Sequence, residues 1–415
     1  MATPEELSTF LDQLYRKHAG ELVASLLSLF NLAHMEWAED QVQETFIAAW
    51  NNWQKKGIPE KPKAWLYKVC KNKALNELKR SWNAKTTDFG TSPQVLQTSK
   101  VEYAFQPSEV WENQLRLLFS LCHPQFSQKA QIILTLKSLG GFSVEEIAQA
   151  LLMKPDAVRK TLSRVKKQLR EQKLPLKIPF LLQSTQRLNS VHQILYLLFN
   201  KGYNNLSGTE IIRKDLCLEA IRLTKALLER TSIANGDTQA LFSLMLFSVA
   251  RFESRINDKG ELMELEEQDR STWDKGFIQQ GILFFNQARK KTSWSRYHIE
   301  AGIASLHSTA KTFDDTPWKE ILHLYNQLME MIPSDTLNMN RAIAMFYSGE
   351  REAAWRELIE CKSLIGNPLY HASLAKFSAI IGELEEARDF YLEAYQATSL
   401  PILKQHFSKK IEELS

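Results

Sequence analysis

The sequence predicts an all-α protein. Glycine and proline together account for 28 of its 415 residues, about 7% against the roughly 12% of an average chain. Long stretches also carry apolar residues at three- and four-residue steps. At roughly 150 residues per domain the length implies two or three domains, each able to bury its own core. Apolar residues at 44% and charged residues at 24% exclude wholesale disorder and a coiled-coil rod. Met1 to Asp12 holds Glu5 and Glu6 where a targeting peptide would be basic, and no apolar run reaches about 18 residues. The reading is of a soluble, cytoplasmic chain.

Charge divides along the chain. Residues 1–190 carry a net +8 and residues 191–415 a net −4. Residues 1–50 are acidic, while 51–80 and 141–190 are strongly basic. Two separated basic segments suit contact with a polyanion at two places, because each neutralised phosphate releases condensed counterions; solvated helix faces are the plainer alternative.

The first helical stripe runs through Ala38, Val42, Phe46, Ala49, Trp50 and Trp53, which are assigned to the core. Its opposite face carries Glu39, Asp40, Gln43 and Glu44, either solvated or a docking face for a basic partner helix. Gly57, Pro59 and Pro62 make Asn52 to Lys63 a loop. A second helix then begins near Ala64, with Trp65, Val69 and Leu78 as its apolar side and Leu66 and Leu75 alongside. Lys68, Lys71, Asn72, Lys73, Asn76, Lys79 and Arg80 fill the rest. Lysines, amides and exposed rings are what locally melted DNA needs: charge for phosphates, amides for base edges, flat rings for unstacked bases.

Residues 83–110, rich in Ser, Thr and Gln with weak apolar periodicity, read as a flexible linker between domains at 1–82 and 111–177. Beyond it, Leu115, Leu118, Phe119 and Leu121, then Ala130, Ile133, Leu134 and Leu136, form helical stripes. The Gly140-Gly141 break follows. Ser143 and Glu146 make a capping box ahead of Ile147, Ala148 and Leu151. Pro155 then opens another helix with Val158, Leu162, Val165 and Leu169 inward. This is helix, tight turn, helix. Arg159, Lys160, Ser163, Arg164 and Lys167 point outward, as on a recognition helix whose early residues read bases and whose later ones hold phosphates; an amphipathic hairpin with a basic outer face is the alternative.

Three ordered strings, Ala38-Glu-Asp-Gln-Val-Gln-Glu-Thr-Phe-Ile-Ala-Ala-Trp50, Ala64-Trp-Leu-Tyr-Lys-Val-Cys-Lys-Asn-Lys-Ala-Leu-Asn76 and Phe142-Ser-Val-Glu-Glu-Ile-Ala148, together resemble an extracytoplasmic-function (ECF) sigma factor of bacterial RNA polymerase. The subgroup with a long C-terminal extension fits best, through Leu115-Arg-Leu-Leu-Phe-Ser-Leu-Cys-His-Pro124, Leu195-Tyr-Leu-Leu-Phe-Asn-Lys-Gly-Tyr203 and Asp269-Arg-Ser-Thr-Trp-Asp274. The resemblance implies that residues 1–82 are sigma region 2 and 111–177 sigma region 4. It implies that Glu39, Asp40, Gln43 and Glu44 dock on the clamp helices of the largest polymerase subunit. It implies that the Trp53 to Ala64 loop, with Trp53, Lys55, Lys56, Lys61 and Lys63, and the next helix, with Trp65, Lys68, Asn72, Asn76 and Arg80, open and read the minus-ten element. The Pro155 to Arg170 helix would bind the minus-thirty-five element, with the linker in the polymerase channel. The family's turn glycine is Leu152 here, and Thr161 stands where a basic residue is usual, so no promoter sequence carries over.

Residues 180–415 read as a helical regulatory extension. Ala342, Gly349 and Ala354 recur 33 residues later as Ala375, Gly382 and Ala387, and Tyr325, Leu358 and Tyr391 share the same interval. The spacing over about 300–400 resembles tetratricopeptide repeats, an α-solenoid of paired helices that binds a protein or peptide partner. Small residues are expected where helices approach. The cluster Glu264, Glu266, Glu267, Asp269, Arg270 and Asp274, with Arg251 and Arg255, is either an internal ionic network or a contact surface for a regulatory partner. Leu195 to Phe199 and Leu241 to Phe247 are helix-core runs.

The four cysteines lack paired spacing and are expected as buried free thiols. Cys122 and His123 cannot by themselves build a tetrahedral site. No phosphate-binding glycine loop, zinc-protease helix or nucleophile elbow occurs, so no enzyme, catalytic residue, cofactor or metal is expected. A DNA-binding regulator or repeat-based adaptor that does not act as a sigma subunit is the alternative function.

Overall fold

Helix ends follow the local chemistry of the chain. The computed structural model describes residues 3–83, 93–151, 153–172, 176, 181–204, 212–230, 233–257, 259–290 and 294–414. Helix α1 is Pro4–Phe30, with Thr3 and Glu6 in a reciprocal capping box that the sequence reading missed. Then come α2 Met35–Lys56, α3 Pro62–Asn83, α4 Pro93–Ala104, α5 Pro107–Leu121, α6 Gln128–Ser138, α7 Val144–Ala150 and α8 Pro155–Gln172. After these, α9 is Leu181–Tyr203 and α10 Lys214–Leu228. The rest of the chain forms α11 Gly236–Val249, α12 Lys275–Ala288, α13 Arg296–Thr309, α14 Trp318–Met331 and α15 Asp335–Tyr347. It ends with α16 Arg351–Ile359, α17 Pro368–Ile381, α18 Leu384–Gln396 and α19 Pro401–Glu413. Outside helices, an isolated antiparallel bridge pairs Ile256 with Leu262. The all-α class stands, and among the described residues no helix is long and apolar enough to cross a membrane.

Two units divide the chain: residues 1–202 with 214–233, and 203–213 with 234–415. The sequence reading had placed the extension's start at residue 180 and kept 1–82 apart from 111–177. Within the first unit α1 lies along α2 and α5, and α2 meets α8. Helix α10 joins that unit because Leu216, Cys217, Ala220, Leu223 and Leu227 are buried on α10, which packs on α5 and α1. The linker reading of 83–110 also changes. Residues 84–92 lie outside the described ones, but α4 is helical, buries Val101 and Ala104 and packs on α3. Its polar composition had masked these two buried residues.

Two glycines set the spacing within the first unit. A Cβ on Gly20 of α1 would stand 2.4 Å from the Leu139 carbonyl oxygen, and Gly141 takes φ +64°, which disfavours a side chain although a Cβ there would stand an ordinary 3.5 Å from the Arg16 Cα. The Gly140-Gly141 break therefore lets the α6–α7 turn lie directly on α1. The α7 capping box is present as expected, with Ser143 N to Glu146 at 2.8 Å and Glu146 N to Ser143 at 3.1 Å; such caps contribute about 1 kcal/mol each. Helix α8 begins at Pro155 and buries Val158, Leu162, Val165 and Leu169, each contributing about 1.5–3 kcal/mol.

In the second unit the 33-residue interval is a structural repeat. Helices α14, α16 and α18 start 33 residues apart, as do α15 and α17. Ala342, Ala354, Ala375 and Ala387 are fully buried where paired helices meet. Gly349 and Gly382 do something else: with φ of 105° and 95° they turn α15 into α16 and α17 into α18, in open space. Glu350 N and Glu383 N reach back to the Met345 and Ser378 carbonyls, the pattern of a Schellman end.

Candidate nucleic-acid and polymerase interface

Helix α2 sorts most of its side chains by face, but Ile47 is 59% exposed and Trp50, expected in the core, is only half-buried. Ala38, Val42, Phe46, Ala49 and Trp53 are buried, and Asp40, Gln43 and Glu44 are exposed. Glu44 receives Lys73 of α3 at 2.5 Å, and Gln43 hydrogen-bonds the Tyr15 hydroxyl. Glu39 turns aside: it receives Lys166 of α8 at 2.5 Å and Ser138 of α6 at 2.9 Å. Three of the four acidic-face residues thus stay outward.

Trp53 was expected both in the core and at the DNA. It is 2% exposed and packs edge-on against Trp65 at 5.4 Å and beside Phe10 at 6.4 Å, so only the core role survives. Trp65 is partly exposed. The loop is shorter than expected: α2 runs on to Lys56, Gly57 at φ +79° ends it, and α3 starts at Pro62. Lys55 and Lys56 therefore sit on a helix end, Lys61 in the loop and Lys63 in the first turn of α3. The core stripe of α3 is Leu66, Cys70 and Ala74, with Trp65, Val69 and Leu78 only half-buried beside it. The sequence reading chose the larger side chains, but close helix contact here takes the smaller ones. Lys68, Asn72 and Asn76 share an exposed row at four-residue spacing, with Lys79 and Arg80 exposed beyond it.

A buried polar node that the sequence reading missed anchors this end of α3 to α1. Glu21 accepts from His18 at 3.0 Å, from the Tyr67 hydroxyl and from Lys63 at 3.2 Å. Burial pushes the Glu21 pKa up, but the His18 and Tyr67 hydrogen bonds and the Lys63 ammonium outweigh it and hold the carboxyl at about 2. Lys63 also lies over the Tyr67 ring at 5.2 Å, so it is tied down at the start of α3. No local pattern marks a partnership 46 residues apart.

On α8, Arg159, Lys160, Ser163, Arg164 and Lys167 are all exposed. Arg159 is held by Glu145 at 2.5 Å and Asp156 at 2.8 Å, so its charge is largely matched inside the protein. Thr161 turns its hydroxyl onto the Ala157 carbonyl. Leu152, the residue in place of the family's turn glycine, lies outside the described residues. Lys166 and Arg170, which the sequence reading left unassigned, occupy the flank of α8 and pair with α2: Lys166 with Glu39, Arg170 with Glu36 at 2.5 Å.

The charged cluster of the second unit is internal. Glu264 binds Lys376 at 2.6 Å and His406 at 3.1 Å, Glu266 meets Lys376 and accepts from Tyr347, and Glu267 receives Lys410 at 2.9 Å. Arg270 donates to the His307 and Ala310 carbonyls and to Thr316, all near 3.0 Å. Trp273 sits between Arg251 and Arg270, each 5.1 Å from its ring. Asp269 and Asp274 cap the helical turns that follow them, and Arg255 clasps the Tyr203 carbonyl and ring. The motif therefore ties the 251–274 loop to the helices of its own unit. All four cysteines are buried free thiols.

Comparison with known proteins agrees with this layout. Residues 14–84 match Sigma-70 region 2 and residues 116–169 match Sigma-70, region 4. Residues 187–289 match a family of unknown function, DUF6596. A relative, the "Uncharacterized protein R00370" of Rhizobium meliloti (strain 1021), is 31% identical over 340 residues, covering 80% of this chain and 79% of its own length. No solved structure matches significantly. Region 2 and region 4 in this order, on an all-helical frame continued by a long helical extension, place the chain in the sigma-70 family of RNA polymerase promoter-recognition factors, as an ECF-type member with a C-terminal extension.

Proposed function

We propose a division of labour among three surfaces. The exposed acidic side of α2, centred on Asp40, Gln43 and Glu44, docks on the clamp helices of the polymerase. Lys55, Lys56, Lys61 and the Lys68-Asn72-Asn76 row of α3 hold and read the opened minus-ten element, charges on phosphates and amides on base edges. Helix α8 enters the major groove of the minus-thirty-five element, Arg164 and Ser163 toward base edges and Lys160 and Lys167 toward phosphates.

The observation that carries this reading is the sorting of α8. Val158, Leu162, Val165 and Leu169 are all buried, and Arg159, Lys160, Ser163, Arg164 and Lys167 are all exposed, on a helix that follows a capped partner helix. The factor acts by binding, in the cytoplasm where core polymerase works, and bond-making stays with the polymerase. The helical hairpins of the second unit suit a protein or peptide partner that tunes this activity.

Transcription with purified core polymerase is the test. Core enzyme plus this chain initiates at discrete sites, whereas a DNA-binding regulator would leave core enzyme unable to start. Asp40→Lys with Glu44→Lys lowers core binding in a pull-down while the helical circular-dichroism signal stays; unchanged binding would move the docking surface elsewhere.

A further inference from the structure

We propose that the repeat array carries a groove for an extended acidic peptide of a partner protein, and that its own 255–267 loop sits there as a displaceable stand-in. The proposal rests on the partner-binding role given to the second unit above, and names its site and the chemistry of its ligand. The loop meets every second helix of the array. Tyr347 of α15 donates to Glu266 at 3.0 Å, and Lys376 of α17 binds Glu264 at 2.6 Å and Glu266 as well. On α19, His406 takes Glu264 at 3.1 Å, Lys409 takes Glu261 at 3.4 Å and Lys410 takes Glu267 at 2.9 Å. Alternate helices of a paired-helix array line the same face, so α15, α17 and α19 present their donors as one row. Three lysines and a histidine thus form a cationic strip in a half of the chain whose net charge is −4. What fills the strip is a run of carboxylates one to three residues apart.

Charge, and not a core, holds the loop down. None of the described residues from Glu253 to Glu267 is buried. The hairpin closes on itself, with Asn257 N bonding the Glu261 carbonyl at 3.0 Å and Met263 N the Arg255 carbonyl at 2.9 Å. Its two ends are fixed instead: Phe252, Gln268 and Trp273 are buried, and Arg251 donates to Gln268 at 3.1 Å. A segment pinned at both ends and attached by ion pairs between them can lift while the helices beneath stay folded. Cavities flank it on both sides. One of about 100 Å³ lies against α19, with Leu262, Met263 and Ile402 in its wall. Another of about 200 Å³ is lined by Ala379, Ile380, Tyr391 and Leu414 beside Lys376 and Lys410. Charges that set the register, alternating with apolar hollows for side chains, are the make-up of a peptide groove. The loop leaves both hollows open, and apolar side chains between a partner's carboxylates would fill them.

The test uses the full-length protein and a fluorescein-labelled synthetic peptide copying residues 260–267, read by fluorescence anisotropy, with a circular-dichroism melt to show that each variant is folded. Glu266→Gln with Glu267→Gln frees the strip while Glu264 keeps its partners. This variant binds the peptide about 10-fold more tightly than wild type, the gain expected when a seated loop outnumbering the lifted one about 10:1 is released. Adding Lys376→Gln and Lys410→Gln abolishes binding, and a peptide with Gln in place of every Glu does not bind. Saturating peptide also speeds hydrogen exchange at the Asn257 and Met263 amides of the wild-type protein, a readout that needs no substitution. Equal affinity in wild type and Glu266→Gln/Glu267→Gln, or unmoved exchange, would overturn the seating of the loop. Binding that survives the lysine changes, or none by any variant, would overturn the groove. Equal displacement of the peptide by a short oligonucleotide of the same charge would reassign the strip to polyanions in general. Peptide bound as described, with the amount of transcript from core polymerase unchanged, would support the groove and overturn the tuning role of the second unit.

Discussion

Arg159 and Arg164 stand five positions apart on one helix yet are not equivalent. Arg159 is already matched by Glu145 and Asp156, and exchanging exposed carboxylates for DNA returns little net energy. Arg164 is exposed, and a base-reading arginine contributes about 1–3 kcal/mol of discrimination. Arg164→Ala therefore weakens specific promoter binding by about that much, Arg159→Ala by less, and Lys167→Ala weakens all sequences alike and flattens the salt dependence. Titrations of specific and scrambled duplexes at two salt concentrations separate the three; equal losses from both arginines would remove the distinction.

Elements are held together by buried polar nodes as well as by apolar stripes. Glu21 joins α1 to α3, and its folded pKa of about 2 lies below its ordinary 4.5. A lowered carboxylate pKa stabilises the fold fully above 4.5, and the contribution is lost as pH falls toward 2. The span corresponds to about 3 kcal/mol. Glu21→Gln is accordingly less stable than wild type at pH 7, and its urea midpoint falls less between pH 5 and pH 2.5. Parallel pH profiles would show that Glu21 does not carry the coupling. Glu264 does the same work in the second unit, where Lys376 and His406 hold it at about 2 against its burial. These nodes escape local reading because their partners lie 46 to 142 residues away.

At the scale of the whole molecule, the division of the chain decides which fragments fold. Removing residues 180–415 strips α9 and α10 from the first unit and exposes the face of α5 and α1 that α10 covers. A chain ending at residue 233 keeps that cover. The shorter fragment is expected to aggregate or lose cooperativity on heating, and the 1–233 fragment to melt cooperatively; the reverse result would return α10 to the extension. With 1–233 in hand, transcription from core polymerase should change in amount while start sites stay the same, since the basic faces of α3 and α8 lie within it. A changed set of start sites would assign promoter reading to the extension.

Periodicity and capping determined much of this protein without coordinates. The all-α class, the helices around Val42 and Val158, the Ser143–Glu146 cap, the Pro155 start and the 33-residue repeat are short-range consequences of 3.6 residues per turn and of orphan amides at helix ends. The outward residues of α8 were legible for the same reason. Tertiary structure decided the rest. It chose the core over DNA for Trp53, and Leu66, Cys70 and Ala74 over bulkier neighbours. It turned the 93–104 stretch into a helix, moved α10 into the first unit, and gave Lys166 and Arg170 to Glu39 and Glu36. Each of these depends on which surfaces meet across long stretches of chain. A helix shows in its own sequence which faces are apolar or charged, but which neighbour covers each face is settled only by the packing of the whole unit.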